Sequence, residues 1–93
     1  MASGIDFDWD DDNIKHLAAL HVTRTEFEQL LNNDLVDLDY ELMNGGERYR
    51  SVGITDKGRI LSIAWTLRNG KVRGITAFPA PVSDKKAFLE RPE

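Results

Sequence analysis

The fold is decided by residues 59–78, which read RILSIAWTLR-NG-KVRGITAF. An Asn-Gly pair between two apolar runs is the strongest short signal for a type I′ hairpin turn, because both central residues of that turn need a positive φ. These residues therefore predict two antiparallel strands, 59–68 and 71–78. The first is the most apolar run in the chain, and we expect it to lie in the centre of a sheet.

Two more strands are predicted on the N-terminal side of this hairpin. Residues 35–42 alternate, with apolar side chains such as Val36 and Tyr40 on one side and acidic side chains on the other. Residues 48–55 form the next strand, and Asn44-Gly45-Gly46 marks the turn between the two. Together with the hairpin, these strands predict a four-stranded antiparallel meander.

The N-terminal third predicts one short strand and two helices. Residues 5–9 alternate between apolar and acidic side chains, as a strand does. The acidic run at 10–12 lies where a first helix of about ten residues begins, since carboxylates stabilise the positive end of a helix. Thr23 and Glu26 form a capping box for the second helix. We expect that helix to bury Phe27, Leu30 and Leu31.

A short C-terminal helix completes the prediction. Pro79 and Pro81 end the last strand, and we expect Ser83 to cap the helix that follows. The predicted order is β-α-α-β-β-β-β-α, which is an α+β fold with helices packed on one face of an antiparallel β-meander. The length and the lack of a linker predict a single domain over residues 1–93.

The composition excludes several classes of function. The chain has no cysteine, so disulfides, thiolate metal sites and a cysteine nucleophile are excluded. His16 and His21 are five residues apart, roughly 140° around a helix, so we expect no metal site. No cofactor motif occurs either, and we expect no cofactor. The sequence has no membrane span and no signal-peptide pattern, which predicts a cytoplasmic protein that does not bind a membrane.

Charge is distributed unevenly along the chain. Residues 1–47 contain two basic side chains against twelve acidic ones, a balance of −10, whereas residues 48–93 contain ten basic against four acidic, a balance of +6. Two explanations are open at this point. The basic half carries a surface for a polyanion or a partner, or the two halves neutralise each other across the fold.

The two-residue turn fixes the register of the 59–78 hairpin. The register decides which side chains share a face, because a slip of one residue moves each of them to the other face. The predicted pairs are Arg68 with Lys71, Leu67 with Val72, Thr66 with Arg73, Trp65 with Gly74, and Ile63 with Thr76.

The preceding loop decides whether a cluster of arginines forms. With a three-residue loop and Gly58 in the bulge position, Arg48 lies opposite Thr66. Arg48 and Arg73 then flank one strand on a single face, and Arg50 lies one pair further along. A four-residue loop breaks this cluster up. Guanidinium groups arranged in this way can clamp a phosphate, or they are solvated arginines on an exposed sheet face.

Two aromatic residues of the same strands also have two interpretations. Trp65 and Tyr49 offer faces on which unpaired bases can stack. A tryptophan on a central strand is also a common core residue, so the sequence leaves both interpretations open.

Short motifs along the chain occur in the order and spacing of one known family. They are Phe7-Asp8-Trp9-Asp10, Asn13-Ile14-x-His16, Val22-Thr23-x-x-Glu26-Phe27-Glu28, Gly46-Glu47-Arg48-Tyr49, Gly58-Arg59-Ile60-Leu61, Thr66-Leu67-Arg68-x-Gly70 and Val72-Arg73-x-Ile75-Thr76-Ala77. Over residues 5–78 the chain resembles BrnT-like proteins, the toxins of two-component toxin–antitoxin modules. The resemblance implies a RelE-like fold, RNA cleavage that stops translation, and neutralisation by a ribbon-helix-helix antitoxin.

The chain departs from the family pattern at two places. Ala19-Leu20-His21 lies where many members have Lys-His-Gly, and Phe78-Pro79-Ala80 lies where toxins often have an arginine before a strongly basic tail. These departures concern the nuclease activity rather than the fold, and they are consistent with a degenerate toxin.

The resemblance implies a metal-independent endoribonuclease, in which an RNA 2′-hydroxyl attacks the adjacent phosphate. That reaction needs a base, cationic donors for the developing charge and an acid for the leaving oxygen. We assign the catalytic, charge-stabilising role to Arg48 and Arg73. The RNA-binding residues are then Arg50, Arg68 and Lys71, and the candidate proton carriers are Glu47, Tyr49 and His21. The alternative is a non-catalytic protein-binding module of the same fold.

Overall fold

The structure, a computed structural model, describes residues 4–44 and 46–92. Gly45, in the turn predicted at 44–46, lies outside the described residues. Within them the chain forms three helices and four strands, which are α1 (Asp11–Ala19), α2 (Arg24–Asn32), β1 (Leu35–Met43), β2 (Gly46–Ile54), β3 (Ile60–Arg68), β4 (Lys71–Pro79) and α3 (Val82–Leu89).

The four strands form one antiparallel sheet in the order β1-β2-β3-β4, so the predicted α+β fold with a meander is confirmed. Asn69 and Gly70 have φ values of 53° and 76°, the positive angles that a type I′ turn needs. In the preceding loop Thr55 N–H donates to the carbonyl of Arg59 over 2.9 Å, and Gly58 has a φ of 87°. The loop therefore has three residues, as the arginine cluster requires.

The helices α1 and α2 pack on one face of the sheet. Their buried side chains Leu17, Phe27 and Leu30 meet Leu61 and Ile63 of β3 in the main core. Side chains alternate between faces along a strand, so this face also carries Trp65 and Leu67. We call it the helix-pair face.

The helix α3 packs on the opposite face. Asp84 of α3 accepts hydrogen bonds from Arg50 over 3.2 Å and from Ser62 over 2.8 Å, and both donors alternate with residues of the helix-pair face. Phe88 of α3 is buried there. The same face carries five basic residues, and we call it the arginine face: Arg48, Arg50, Arg68, Lys71 and Arg73.

Capping explains where the helices begin, with one correction. Thr23 Oγ1 accepts from the backbone N–H of Glu26 over 3.1 Å, and Glu26 Oε1 accepts from the N–H of Thr23 over 3.1 Å, so the predicted capping box is confirmed. The prediction that Ser83 caps α3 is wrong. The cap position is Pro81, whose ring already fixes a φ suited to the start of a helix.

The strand predicted at residues 5–9 is reduced to a single bridge. Phe7 pairs with Val72 in parallel, with hydrogen bonds from Asp8 N–H to the carbonyl of Val72 and from Val72 N–H to the carbonyl of Asp6, at 2.8 and 2.9 Å. In the described residues the pairing does not extend beyond this bridge, because Asp10, only three residues after Phe7, already caps α1. The segment still covers the outer edge of β4.

Two β-bulges change the predicted alternation. In β4, Ile63 pairs with Ala77 rather than with Thr76, since the register shifts by one residue between Gly74 and Thr76. In β1 a similar shift occurs at Leu38, so that Val36 and Tyr40 lie on opposite faces, contrary to the prediction. A bulge inserts one unpaired residue and moves every later side chain to the other face.

Candidate nucleic-acid interface

The basic residues predicted to contact RNA lie together on the arginine face. Tyr49 pairs with Trp65, which places Arg48 beside Thr66, and Thr66 pairs with Arg73. Arg48 and Arg73 therefore flank β3 on either side of Thr66. The other three basic residues share this face, Arg50 along β2 and Arg68 opposite Lys71 at the hairpin end.

Carboxylates of the same chain already neutralise three of the five basic residues. Arg73 Nη2 lies 2.7 Å from Asp10 Oδ2, and Arg68 Nε lies 3.7 Å from Asp8 Oδ2. Arg50 is paired with Asp84 of α3 at 3.2 Å. The arrangement supports neutralisation across the fold, the second of the two explanations for the charge asymmetry, at these three positions.

The capping role of Asp10 strengthens its hold on Arg73. The backbone N–H of Asn13 donates to Asp10, and together with the hydrogen bond from Arg73 it lowers the pKa of Asp10 below its usual value. The carboxylate therefore stays ionised in acid solution, where an unperturbed aspartate would begin to take up a proton.

Arg48 and Lys71 are the basic residues of this face for which the described residues provide no ion pair within 4.0 Å. Glu41 is the cross-strand neighbour of Arg48, yet the two side chains do not form an ion pair. The Nε of Arg48 and the Nη1 of Arg73 are buried without a hydrogen-bond partner. Buried donors are normally satisfied, but these two nitrogen atoms are enclosed by the protein and do not face a ligand in solution.

The candidate proton carriers lie apart from the two catalytic candidates. Glu47 and Tyr49 alternate with Arg48, so their side chains are on the helix-pair face. Tyr49 Oη donates to Glu47 Oε2, and this hydrogen bond raises the pKa of Tyr49 to about 12. A phenol with that pKa holds its proton too firmly to transfer it at neutral pH.

The third carrier, His21, is further away still. It lies in the turn between α1 and α2 with a φ of 62°, and its carbonyl accepts from Arg59 Nη1 over 3.0 Å. Arg59 precedes the start of β3, whereas Thr66 lies near its end. The structure therefore does not bring His21 to Arg48 or Arg73.

The two aromatic residues proposed for base stacking are stacked on each other. The rings of Tyr49 and Trp65 are 4.4 Å apart with an interplanar angle of 17°. Trp65 packs against the main core, and its Nε1 donates to Ser51 Oγ over 3.0 Å. Tyr40 lies next to Tyr49, at 5.1 Å, and is 52% exposed. Trp65 is thus a partly buried residue that packs against the core at the end of an aromatic row.

Neither of two surface cavities formed by the described residues is lined by a basic residue of the arginine face. These cavities, of about 540 and 360 Å³, are lined by other residues, Asp34, Leu35 and Arg91 in one and Thr23, Glu26 and Lys57 in the other. Within residues 4–44 and 46–92, no group of three histidine or acidic side chains is arranged to hold a metal ion. No helix in this part of the chain is long and apolar enough to cross a membrane.

No family model matches the chain, and no curated protein matches it. The functional assignment therefore rests on the motifs and on the geometry of the arginine face.

Proposed function

We propose that this protein is a BrnT-like, RelE-fold ribonuclease toxin of the toxin–antitoxin type, degenerate in its chemistry, which binds RNA in the cytoplasm through the arginine face. The observation that carries the proposal is the row of Arg48, Thr66 and Arg73 across three strands. Two guanidinium groups on one side of a rigid sheet suit two oxygens of a phosphodiester backbone.

The geometry favours binding over cleavage. Attack by a 2′-hydroxyl requires a group that accepts its proton, and an arginine remains protonated at all physiological pH values. The acidic and phenolic candidates for proton transfer, Glu47 and Tyr49, lie on the other face of the sheet, where Tyr49 Oη donates a hydrogen bond to Glu47. The arginine face can therefore stabilise a negative phosphate, while none of the three predicted proton carriers, Glu47, Tyr49 and His21, lies beside Arg48 or Arg73.

The proposal is tested by measuring RNA binding and RNA integrity separately. The double variant Arg48→Ala, Arg73→Ala should bind a single-stranded oligoribonucleotide roughly tenfold or more weakly, since it loses two charge-assisted contacts. The matched control is Lys15→Ala, Lys57→Ala, which removes two exposed positive charges away from this face. Equal affinity of both variants for RNA would refute the assignment of the face.

Induced expression without a partner tests the degenerate chemistry. We expect growth to continue and bulk RNA to stay intact, because the predicted proton carriers Glu47, Tyr49 and His21 lie away from Arg48 and Arg73. Cleaved RNA and arrested growth, both abolished by Arg48→Ala with Arg73→Ala, would instead identify an active toxin.

A second candidate is a non-catalytic protein-binding module of the same fold. The observation that favours it is the pairing of Arg50, Arg68 and Arg73 with carboxylates, which reduces the charge offered to RNA. In this case a ribbon-helix-helix antitoxin would contact the arginine face, and an adjacent reading frame would encode it. The Arg48 and Arg73 double variant should then weaken that contact while remaining folded, as calorimetry would check.

A further inference from the structure

The two edges of the sheet differ in how they are covered. The outer edge of β4 is paired with residues 6–8 through two backbone hydrogen bonds. The outer edge of β1 has no such bridge anywhere in the described ranges 4–44 and 46–92. An uncovered edge strand presents N–H and C=O groups that can pair with another strand. In β1 one of these groups, the N–H of Tyr40, donates to the side chain of Asp39 over 2.8 Å, and an added strand would replace this local hydrogen bond.

The chain itself shows what kind of segment covers an edge here. Around β4 the edge is basic, with Arg68 and Arg73 nearby, and the segment that covers it alternates apolar and acidic residues. Asp8 of this segment pairs with both arginines, at 3.7 and 4.0 Å. Phe7 and Trp9, which alternate with the acids, pack against the core. Complementary charge on one side and apolar contact on the other accompany strand pairing at this edge.

The β1 edge has the opposite charge and the same two-sided pattern. Asp39 and Glu41 point to the arginine face, opposite Arg50 and Arg48 in the register. Tyr40 and Leu42 point to the helix-pair face and are 52% and 78% exposed. The edge strand β1 therefore has acidic side chains on the arginine face and exposed apolar side chains on the helix-pair face.

We propose that β1 binds, by strand addition, an extended segment of a partner protein in which basic residues alternate with apolar ones. Backbone hydrogen bonds would join the segment to the free edge, and specificity would come from its alternate side chains. The basic residues lie beside Asp39 and Glu41, and the apolar residues cover Tyr40 and Leu42. Opposite charges and apolar pairs across neighbouring strands both stabilise such pairing.

A second copy of this chain does not fit the same edge. Antiparallel pairing of two β1 strands would place acidic residues of one copy against those of the other, and like charges across strands are destabilising. The segment at 5–9 is acidic as well. The partner is therefore a different protein, and its charge distinguishes it from RNA and from an acidic partner of the arginine face.

Short synthetic peptides test the proposal on the full chain. One peptide alternates valine and lysine. A second is the same peptide with its central residue replaced by proline, and a third has glutamate in place of lysine. Hydrogen exchange of the backbone amides, followed by NMR, should slow in residues 35–43 with the first peptide alone. Proline removes a backbone hydrogen-bond donor and interrupts the ladder. The glutamates of the third peptide would be repelled by Asp39 and Glu41 of β1.

Single variants identify the side chains that bind. Asp39→Asn and Glu41→Gln should each weaken binding of the valine–lysine peptide roughly two- to fivefold, the range for one cross-strand charge pair. Leu42→Ser should also weaken it, whereas Val82→Ser, which changes an 83% exposed apolar residue at the start of α3, should not. Equal binding of the proline peptide, exchange protection outside 35–43, or no binding at all would overturn the proposal.

Discussion

Two carboxylates near the N-terminus pair with basic residues of the arginine face that we propose to bind RNA. Asp8 and Asp10 together hold Arg68 and Arg73. We expect the double variant Asp8→Asn, Asp10→Asn to release both arginines while keeping the fold. Asparagine at position 10 caps a helix as well as aspartate does, and exposed ion pairs contribute only about 0–1 kcal/mol each.

The released arginines should change the salt dependence of RNA binding. For single-stranded RNA the logarithm of the affinity falls with the logarithm of the salt concentration, with a slope of about −0.7 for each phosphate contact. In the wild type we count only Arg48 and Lys71, because carboxylates already neutralise the other three basic residues, including Arg73, and these add little to the release of counterions. Two full contacts give a slope of about −1.4. Adding Arg68 and Arg73 makes four contacts and a slope of about −2.8.

The measurement is a titration of a labelled oligoribonucleotide, followed by fluorescence anisotropy at several salt concentrations. The control variant is Asp11→Asn, Asp12→Asn, because both carboxylates are exposed in the first turn of α1 and it changes the net charge by the same amount. Its slope should equal that of the wild type. A slope unchanged in the Asp8 and Asp10 variant would refute the idea that these carboxylates compete with RNA for the arginines.

Three further predictions concern stability and ionisation. Thr23→Ala should lower the unfolding free energy by about 1 kcal/mol in urea, and Thr25→Ala in the same helix should lower it less; equal effects would discount the capping box. Gly74→Ala places a methyl group 3.1 to 3.2 Å from two aromatic rings and should cost about 1–3 kcal/mol; an unchanged midpoint would mean that the rings move freely. The hydrogen bond to Glu47 raises the pKa of Tyr49 from 10.0 to about 12, so its stabilisation is full below pH 10.0 and is lost as the pH rises to about 12. A phenolate absorbance titration should show this late step, and Tyr49→Phe should remove it; a wild type without the step would contradict the assignment.

The features that sequence predicted correctly are those fixed by local chemistry. The turn at Asn69-Gly70 and the capping box at Thr23 each depend on a few adjacent residues, whereas the sequence leaves the loop that ends at Gly58 open between three and four residues. Glycine and asparagine adopt a positive φ at little cost, so their positions fix the turns. The turns fix the register, and the register brought Arg48 and Arg73 to one face.

The features that sequence did not predict depend on residues far apart in the chain. The bulges at Leu38 and Ile75 arise where strands adjust to packing, which an alternation pattern does not reveal. Gly74, beside one of them, was a usable signal, because a glycine inside a strand often marks a bulge or a close approach. Its missing side chain leaves space for the rings of Phe27 and Trp9. Likewise, the pairing of Arg73 with Asp10 spans 63 residues.

The same N-terminal segment decides which arginine an anion can reach first. Releasing Arg73 by detaching the segment would break ion pairs worth about 0–1 kcal/mol each. It would also expose the rings of Phe7 and Trp9, which costs about 1–2 kcal/mol for each partly buried ring. The hydrogen bond from Trp9 Nε1 to Glu28 would be broken as well. We therefore expect an RNA phosphate to add to the existing contacts of Arg73 without displacing the segment. Arg48, which has no carboxylate to compete with, is the first contact on the arginine face, and single substitution there should weaken binding more than substitution of any paired arginine.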